Sequence, residues 1–378
     1  MRMKDMNRRL RCLLAAMVVA VTALLGAGLP FDVTHASASQ DETLGTANER
    51  PAISVDLPRL FGLTQNAPSH AGKVIVPGGA AVGVAISTQG VLVVGLGEGP
   101  GMQAGLRAGD LLLSVNGIPL EDAAVLTDAV TAAEGQPLSL LIDRDGRERT
   151  VMVTPRFDQT AGSWRLGLWV RYSTAGVGTL TYYDPENGAY GALGHAITDT
   201  DTGSILPVRQ GGLLQAEIVD VRRGQRGAPG ELRGSFLREQ VRLGTVKKNN
   251  VFGIFGTLDS PWQNPLYPNG LPVGDRSRVH TGAASILSTV NGSEIREYAV
   301  EITQVIRQSI PAPKSLVLRV TDERLLSATG GIVQGMSGSP ILQDGQIIGA
   351  VTHVFVSDPT QGYGVYIDWM LEESDGIV

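Results

Sequence analysis

Apolar residues along most of this chain come in short runs broken by glycine and turn residues, a pattern of strands and turns more than of long helices. Residues 12–29 are the exception: they are almost wholly apolar and end at Pro30. Arg2, Lys4, Arg8, Arg9 and Arg11 precede the run, and Ala36-Ser37-Ala38 follows with small residues where a signal peptidase reads. Residues 1–38 are therefore expected to be a secretory signal or an N-terminal membrane anchor, since roughly 18 apolar residues just span a bilayer. Basic flanks stay cytoplasmic, which places the rest of the chain outside. Residues 39–72 turn polar and then rich in Pro and Gly, which predicts a linker.

Residues 73–156 predict a small α/β module. Gly90–Gly95 and Leu111–Val115 read as buried strands, and Asn116-Gly117 as a tight turn. Val125, Leu126, Ala129 and Val130 share one helical face, predicting a helix over 121–134. Residues 137–143 and 149–154 form a hairpin across Arg144-Asp145-Gly146. Gly105-Leu-Arg-Ala-Gly-Asp110 and Ser114-Val-Asn-Gly117 resemble a bacterial PDZ domain. Such a module binds an extended peptide by strand addition, and a turn of backbone N–H groups holds the terminal carboxylate. The glycine-rich stretch 78–84, with Gly79, Val82, Gly83 and Val84, is the expected peptide edge.

Composition narrows the function. With 31 Lys+Arg against 37 Asp+Glu, the 378 residues carry a formal charge of −6, which argues against nucleic-acid binding. The single cysteine, Cys12, lies in the leader, so thiol catalysis, internal disulfides and a thiolate zinc site are excluded. No metal and no organic cofactor is expected.

The chemistry is expected in residues 165–378. Gly335-Met-Ser-Gly-Ser-Pro340 is a glycine-rich turn that can expose the Ser337 hydroxyl while the N–H groups of Gly335 and Ser337 converge as an oxyanion hole. It resembles the nucleophile loop of chymotrypsin-like serine proteases. A serine needs a base. Of five histidines, His35 and His70 lie ahead of the modules, and His280 sits in an alternating, structural stretch. His195, in Gly191–Thr198, is the candidate base. His353, on the strand after the nucleophile, is a candidate for the substrate-cleft wall with Thr352 and Val354. Six aspartates separate His195 from Ser337, and spacing alone does not choose the orienting acid among them.

The leader, the PDZ-like module, Gly194-His195, Pro229–Gly234, Thr321-Asp322, Gly330–Pro340, Gly362–Gly364 and Asp368-Trp369 together resemble the stage IV sporulation protein B peptidases of endospore-forming bacteria. The resemblance implies a PDZ domain followed by a mainly β, chymotrypsin-like double-barrel protease, with a triad of His195, Asp322 and Ser337. It also implies export into the forespore intermembrane space, self-cleavage, and cleavage of the extracytoplasmic part of a membrane-bound inhibitor. That cut releases an intramembrane protease that matures a sigma factor. The PDZ ligand would be the chain's own N-terminal region or a target C-terminus. The alternatives are a general envelope quality-control protease, or a non-catalytic PDZ scaffold with a degenerate protease domain.

Overall fold

The structure, a computed structural model, describes residues 70–236 and 242–377. The expected leader and all but the last three linker residues lie outside the described residues. Among the described residues no helix is long and apolar enough to cross a membrane.

The chain enters through β1 (Val74–Pro77) and β2 (Ala81–Leu96). Strand β2 is too long for one small domain, and its two halves serve different bodies. The half from Ala81 to Thr88 pairs with later strands outside the module. The half from Val91 onward opens the PDZ module. A bulge at Thr88–Val91 separates them; the buried Thr88 hydroxyl donates to Gly90 O (2.7 Å) and Tyr172 O (3.1 Å) there.

The module continues with α1 (Pro100–Gln103), β3 (Leu111–Val115), β4 (Ile118–Pro119), α2 (Ala123–Ala132), β5 (Leu138–Arg144), β6 (Arg147–Val153), β7 (Arg156–Asp158) and β8 (Ser163–Arg165). Asp122 caps α2, accepting from the N–H groups of Ala124 and Val125. Leu126 and Val130, four apart, bury one face of α2, while Leu138, Leu140 and Ile142 alternate inward from β5. Both two-residue turns use positive φ, Asn116-Gly117 at 49° and 79° and Asp145-Gly146 at 56° and 75°, matching the twist of their hairpins. Asp110 is buried and takes the Arg144 guanidinium at 2.6 and 2.7 Å, which ties the module's loop to its sheet.

Strand β9 (Leu168–Tyr183) returns alongside β2, pairing Leu92 with Arg171 and then Ala81–Ser87 with Ser173–Thr179. It leads into β10 (Ala189–Ala192), β11 (Val208–Arg222), β12 (Glu231–Phe236), β13 (Arg242–Asn250) and β14 (Gly253–Leu258). The order β9-β10-β14-β13-β11-β2, closed by the β2–β9 pairing, makes a six-stranded barrel around Val82, Val84, Leu180, Tyr190, Leu213 and Ile254. After β15 (Leu271–Pro272), which pairs with β1, come β16 (Gly282–Ser288), β17 (Arg296–Val305), β18 (Leu316–Val320), α3 (Glu323–Thr329), β19 (Pro340–Gln343), β20 (Gln346–Phe355), β21 (Asp358–Tyr366) and α4 (Ile367–Ser374). Strands β16-β17-β18-β21-β20-β19 close a second barrel.

The mainly β fold of PDZ plus double barrel is therefore present, but its order differs from the expectation. The PDZ module does not precede the protease; it is inserted into the first barrel between the halves of β2 and β9. The expected module boundary at residue 73 is corrected accordingly, and the protease does not begin at residue 165. The expected peptide edge is corrected too. Val82, Gly83 and Val84 are paired on both sides, by β9 and by β11, so no strand can be added there. Gly79 is at the contact between the barrels: a Cβ on it would lie 2.8 Å from Leu287 Cβ, and its carbonyl accepts from the buried Thr289 hydroxyl at 3.0 Å. Their glycine-rich, β-branched composition serves barrel closure and close packing.

The N-terminal end of the described chain is also fixed. His70 bonds Asp368 through Nδ1 (2.9 Å) and its own N–H (3.1 Å), and Asp375 through Nε2 (3.0 Å). These carboxylates raise the His70 pKa.

Candidate active site

The two barrels meet where the nucleophile turn of the second rests on the first. Two tight turns shape residues 333–339. Met336 N–H donates to Val333 O (3.1 Å) and Ser339 N–H to Met336 O (3.0 Å). Gly335 (φ 96°) and Gly338 (φ 95°) occupy the third position of each, where a type II turn demands positive φ. A Cβ on Gly338 would lie 2.2 Å from Thr179 O, so no other residue fits there. The first barrel grips this turn through Thr179 on β9, whose N–H donates to Ser337 O (3.0 Å) and whose hydroxyl donates to Gly335 O (2.8 Å). Behind it runs Gly230–Leu232: Leu232 N–H donates to Gln334 O (2.8 Å), and Gln334 N–H to Gly230 O (3.0 Å). Among the described residues the N–H groups of Gly335 and Ser337 meet no backbone carbonyl, so both are free to receive an oxyanion.

His195 follows β10 through Leu193 and Gly194, both at positive φ (70° and 68°). For Leu193 that backbone is strained, and it persists because the Leu193 side chain is buried in the first barrel. A Cβ on Gly194 would sit 3.1 Å from Thr352 Cγ2, which brings the histidine turn directly onto β20. His195 and Ser337 thus line one cleft of about 710 Å³, together with Gly335, Thr352, His353 and Val354. Around them the lining is mainly aliphatic, including Val177, Ile197, Ile332 and Val333.

His195 Nδ1 lies 2.8 Å from Ala196 O. A carbonyl only accepts, so Nδ1 carries the proton and Nε2 of the neutral ring keeps its lone pair. Burial pushes the His195 pKa below the usual histidine value, against the opposing effect of the Ala196 carbonyl. The His353 ring lies 5.0 Å away, tilted by 38°. Desolvation first, then His195 and Lys314, pull His353 down to about 4. The Ser337 hydroxyl donates to Thr352 O at 2.7 Å, not to His195, so attack requires a rotation of Ser337 about Cα–Cβ.

Asp322 is the residue the structure does not bring to this site. It caps α3, accepting from the N–H groups of Arg324 (2.9 Å) and Leu325 (3.4 Å) through Oδ1 and of Ala299 (3.2 Å) through Oδ2. Arg324 binds the same carboxylate at 3.0 and 2.7 Å and holds its pKa down to about 2. With both oxygens engaged on the second barrel, and no hydrogen bond to His195, the expected triad does not close. Asp199 is not a substitute: its carboxylate is buried beneath the Arg171 guanidinium and accepts from Asp201, Thr202 and the Thr202 hydroxyl. The group that orients His195 here is the Ala196 carbonyl.

Three supporting residues had no role from sequence: Thr179, Leu232, and Asn249 on β13. The Asn249 amide accepts from Ile197 N–H (2.8 Å) and donates to Ile197 O (2.8 Å) and Leu206 O (2.9 Å). The Pro229–Gly234 motif marks Leu232, whereas nothing in the sequence around Asn249 singles it out.

A second groove, of about 400 Å³, lies in the PDZ module between α2 and the start of β9, lined by Leu126, Thr127, Val130, Trp164, Gly167 and Leu168. Along Leu168–Arg171, β9 pairs with β2 alone, so among the described residues its other edge is open. This edge, not residues 79–84, is where the module can take a peptide strand.

Comparison with known proteins agrees with both bodies. Residues 93–144 match the PDZ domain family, and residues 162–371 match the SpoIVB peptidase S55 family. The zinc metalloprotease RasP of Geobacillus kaustophilus is 29% identical over 104 residues, 27% of this chain and 22% of its own. The chain spans about a fifth of that relative's length, and none of the relative's activity is carried over. The active form of the Rv3671c protease from M. tuberculosis aligns at 16% identity and a TM-score of 0.30, covering 53% of this chain and 75% of that one. A PDZ domain of an SdrC-like protein from Listeria monocytogenes aligns at 18% identity and a TM-score of 0.20, covering 22% and 87%. Likenesses this distant carry no argument, whereas the S55 match spans just over half of the chain and contains both His195 and Ser337. The chain carries a PDZ domain and belongs to the SpoIVB peptidase S55 family.

Proposed function

We propose that this protein is an exported signalling endopeptidase. On this reading it cuts itself and an extracytoplasmic regulatory target, the extracytoplasmic part of a membrane-bound inhibitor, and so triggers sigma-factor maturation during sporulation. The family match supports the signalling role, and the basic, apolar leader supports export. The observation that carries peptidase chemistry is the shared cleft of His195 and Ser337 beside two unengaged N–H groups.

Ser337 Oγ swings from Thr352 O toward His195 and attacks the peptide carbonyl as Nε2 takes its proton. The Ala196 carbonyl holds Nδ1–H and stabilises the imidazolium. The N–H groups of Gly335 and Ser337 receive the oxyanion, His195 protonates the leaving amine, and water releases the acyl-enzyme. The peptide lies along Thr352–Val354. Loss of the nucleophile or the base lowers the rate by roughly 10⁴ or more.

The test is labelling of the purified protein with a serine-directed fluorophosphonate, followed by mass mapping of its own fragments. Labelling at Ser337 and self-cleavage, both lost in Ser337→Ala, are expected. Fragments that persist in Ser337→Ala would remove Ser337 from the mechanism, and an unlabelled protein that binds peptides would favour the scaffold reading. Broad digestion of unfolded proteins would favour envelope quality control.

A further inference from the structure

The segment after His195 is a small hairpin. Ile197 and Leu206, Thr198 and Ile205, and Asp199 and Ser204 face each other, joined by Leu206 N–H to Ile197 O (3.2 Å) and Asp199 N–H to Ser204 O (2.9 Å). Ala196, Ile197, Thr198, Thr200 and Ile205 from this hairpin line the catalytic cleft. Asn249 fixes its base. Its tip is held from the other side. Arg171, on β9 at the end of the open PDZ edge, binds the buried Asp199 carboxylate with one guanidinium nitrogen and Asp201 with another at 2.9 Å. The PDZ module comes close to the same tip, a Cβ on Gly109 having Ser204 Oγ as its nearest neighbour at 3.9 Å.

We propose that Arg171 is a positioning residue: it ties the His195 hairpin to the ribbon that carries the PDZ groove, and thereby sets the place of the catalytic base. The proposal rests on His195 being that base. Three features give it force. Asp199 is fully buried, so its ion pair is not an exposed contact worth little. Arg171 spans two carboxylates with one planar fork, which a lysine cannot do. The hairpin is short and its first pair, Ile197 and Leu206, stands two residues after His195, so a displaced hairpin shifts the backbone that carries the ring. A misplacement of about 1 Å at a reacting group lowers the rate roughly 10²-fold.

The experiment uses the purified protein with Arg171→Gln, Arg171→Lys, and the double variant Arg171→Gln/Asp199→Asn, which cuts the tether without stranding a buried charge. The readouts are kcat and KM on a peptide substrate, and the NMR titration of the His195 ring. The titratable group that meets that ring is His353 on β20, on which Lys314 acts in turn, and the Arg171–Asp199–Asp201 cluster stands at the tip of the hairpin. In Arg171→Gln and the double variant, kcat is expected to fall about 10- to 100-fold with KM within about threefold. The His195 titration is expected to rise toward the ordinary value as the loosened hairpin lets water in. Arg171→Lys keeps the charge without the fork, and its kcat is expected to fall between those of the unaltered protein and Arg171→Gln. A folded double variant whose His195 titrates as in the unaltered protein overturns the proposal. A raised titration with unchanged kcat would uphold the tether and instead remove His195 from the role of base.

Discussion

Asp322 separates two accounts of this active site. As the orienting acid, its change to Asn would lower kcat about 10⁴-fold, since the amide cannot stabilise the correct tautomer and the imidazolium. The structure gives it a different task. Its Oδ1 receives the first N–H groups of α3, and its Oδ2 receives Ala299 N–H. Asn caps a helix as well as Asp, so with its oxygen in the Oδ1 place Asp322→Asn keeps the bonds from Arg324 and Leu325 N–H, while its NH2 group cannot accept from Ala299 N–H and the charge pairing with the exposed Arg324 is lost. Asp322→Ala loses the cap and leaves Ala299 N–H without its carboxylate, about 1–2 kcal/mol in all. For a body of this size each kcal/mol is a shift of about 2–4 °C in Tm. Steady-state kinetics on a peptide substrate and a melting curve, run on both variants, distinguish the accounts. The expected result is kcat within about threefold for Asn and a lowered Tm for Ala. A loss of 10³ or more in Asp322→Asn with a Tm no lower than that of Asp322→Ala would refute the capping account and show that the working enzyme brings this carboxylate to His195.

The pH profile offers a second check. Burial lowers the His195 pKa, and only the neutral ring can act as base. The acid limb of kcat/KM is therefore expected to have its midpoint below 6.5; a midpoint above 7 would mean that burial does not govern this ring. The aliphatic cleft lining predicts that peptides with Val, Leu or Ile around the cut are turned over at least tenfold faster, in kcat/KM, than the same peptides carrying Asp or Glu there. Equal rates would move the peptide path off this wall. In the PDZ module, Thr127→Glu places a carboxylate in the groove wall and is expected to weaken binding of peptides with a free C-terminus by tenfold or more, as measured by fluorescence anisotropy. Unchanged binding would place the peptide elsewhere.

Local chemistry was legible in the sequence wherever a residue type is forced by its own backbone. Gly335 and Gly338 announced the nucleophile turn, Asn116-Gly117 and Asp145-Gly146 announced hairpins, and the spacing of Leu126 and Val130 announced α2. What stayed hidden depends on long-range pairing. Gly83 reads the same whether it lies on a peptide-binding edge or inside a barrel, and only its two neighbouring strands decide. Strand β2 is one continuous element that crosses between bodies, so nothing in its composition marks the crossing except Gly90. The expected Asp322 role came from resemblance, and Asp before Glu-Arg at a strand end is equally the signature of a helix cap. Asn249 and Arg171 act through loops more than forty and nearly thirty positions away in sequence, and polar residues at such distances carry no periodic signal.

The way the PDZ module enters the barrel has a practical consequence. Leu92 and Arg171 are paired neighbours, so the two ends of the insertion stand about one strand spacing apart, roughly 5 Å. Cutting out residues 74–156 would remove β1 and the whole of β2, including the half that closes the first barrel, and collapse that barrel. Replacing everything between those neighbours with a two-residue reverse turn would instead leave a plain hairpin and an intact barrel. The same seam would accept a foreign recognition domain whose termini lie close together, turning the peptidase into a chassis whose sensor can be exchanged without touching its cutting edge.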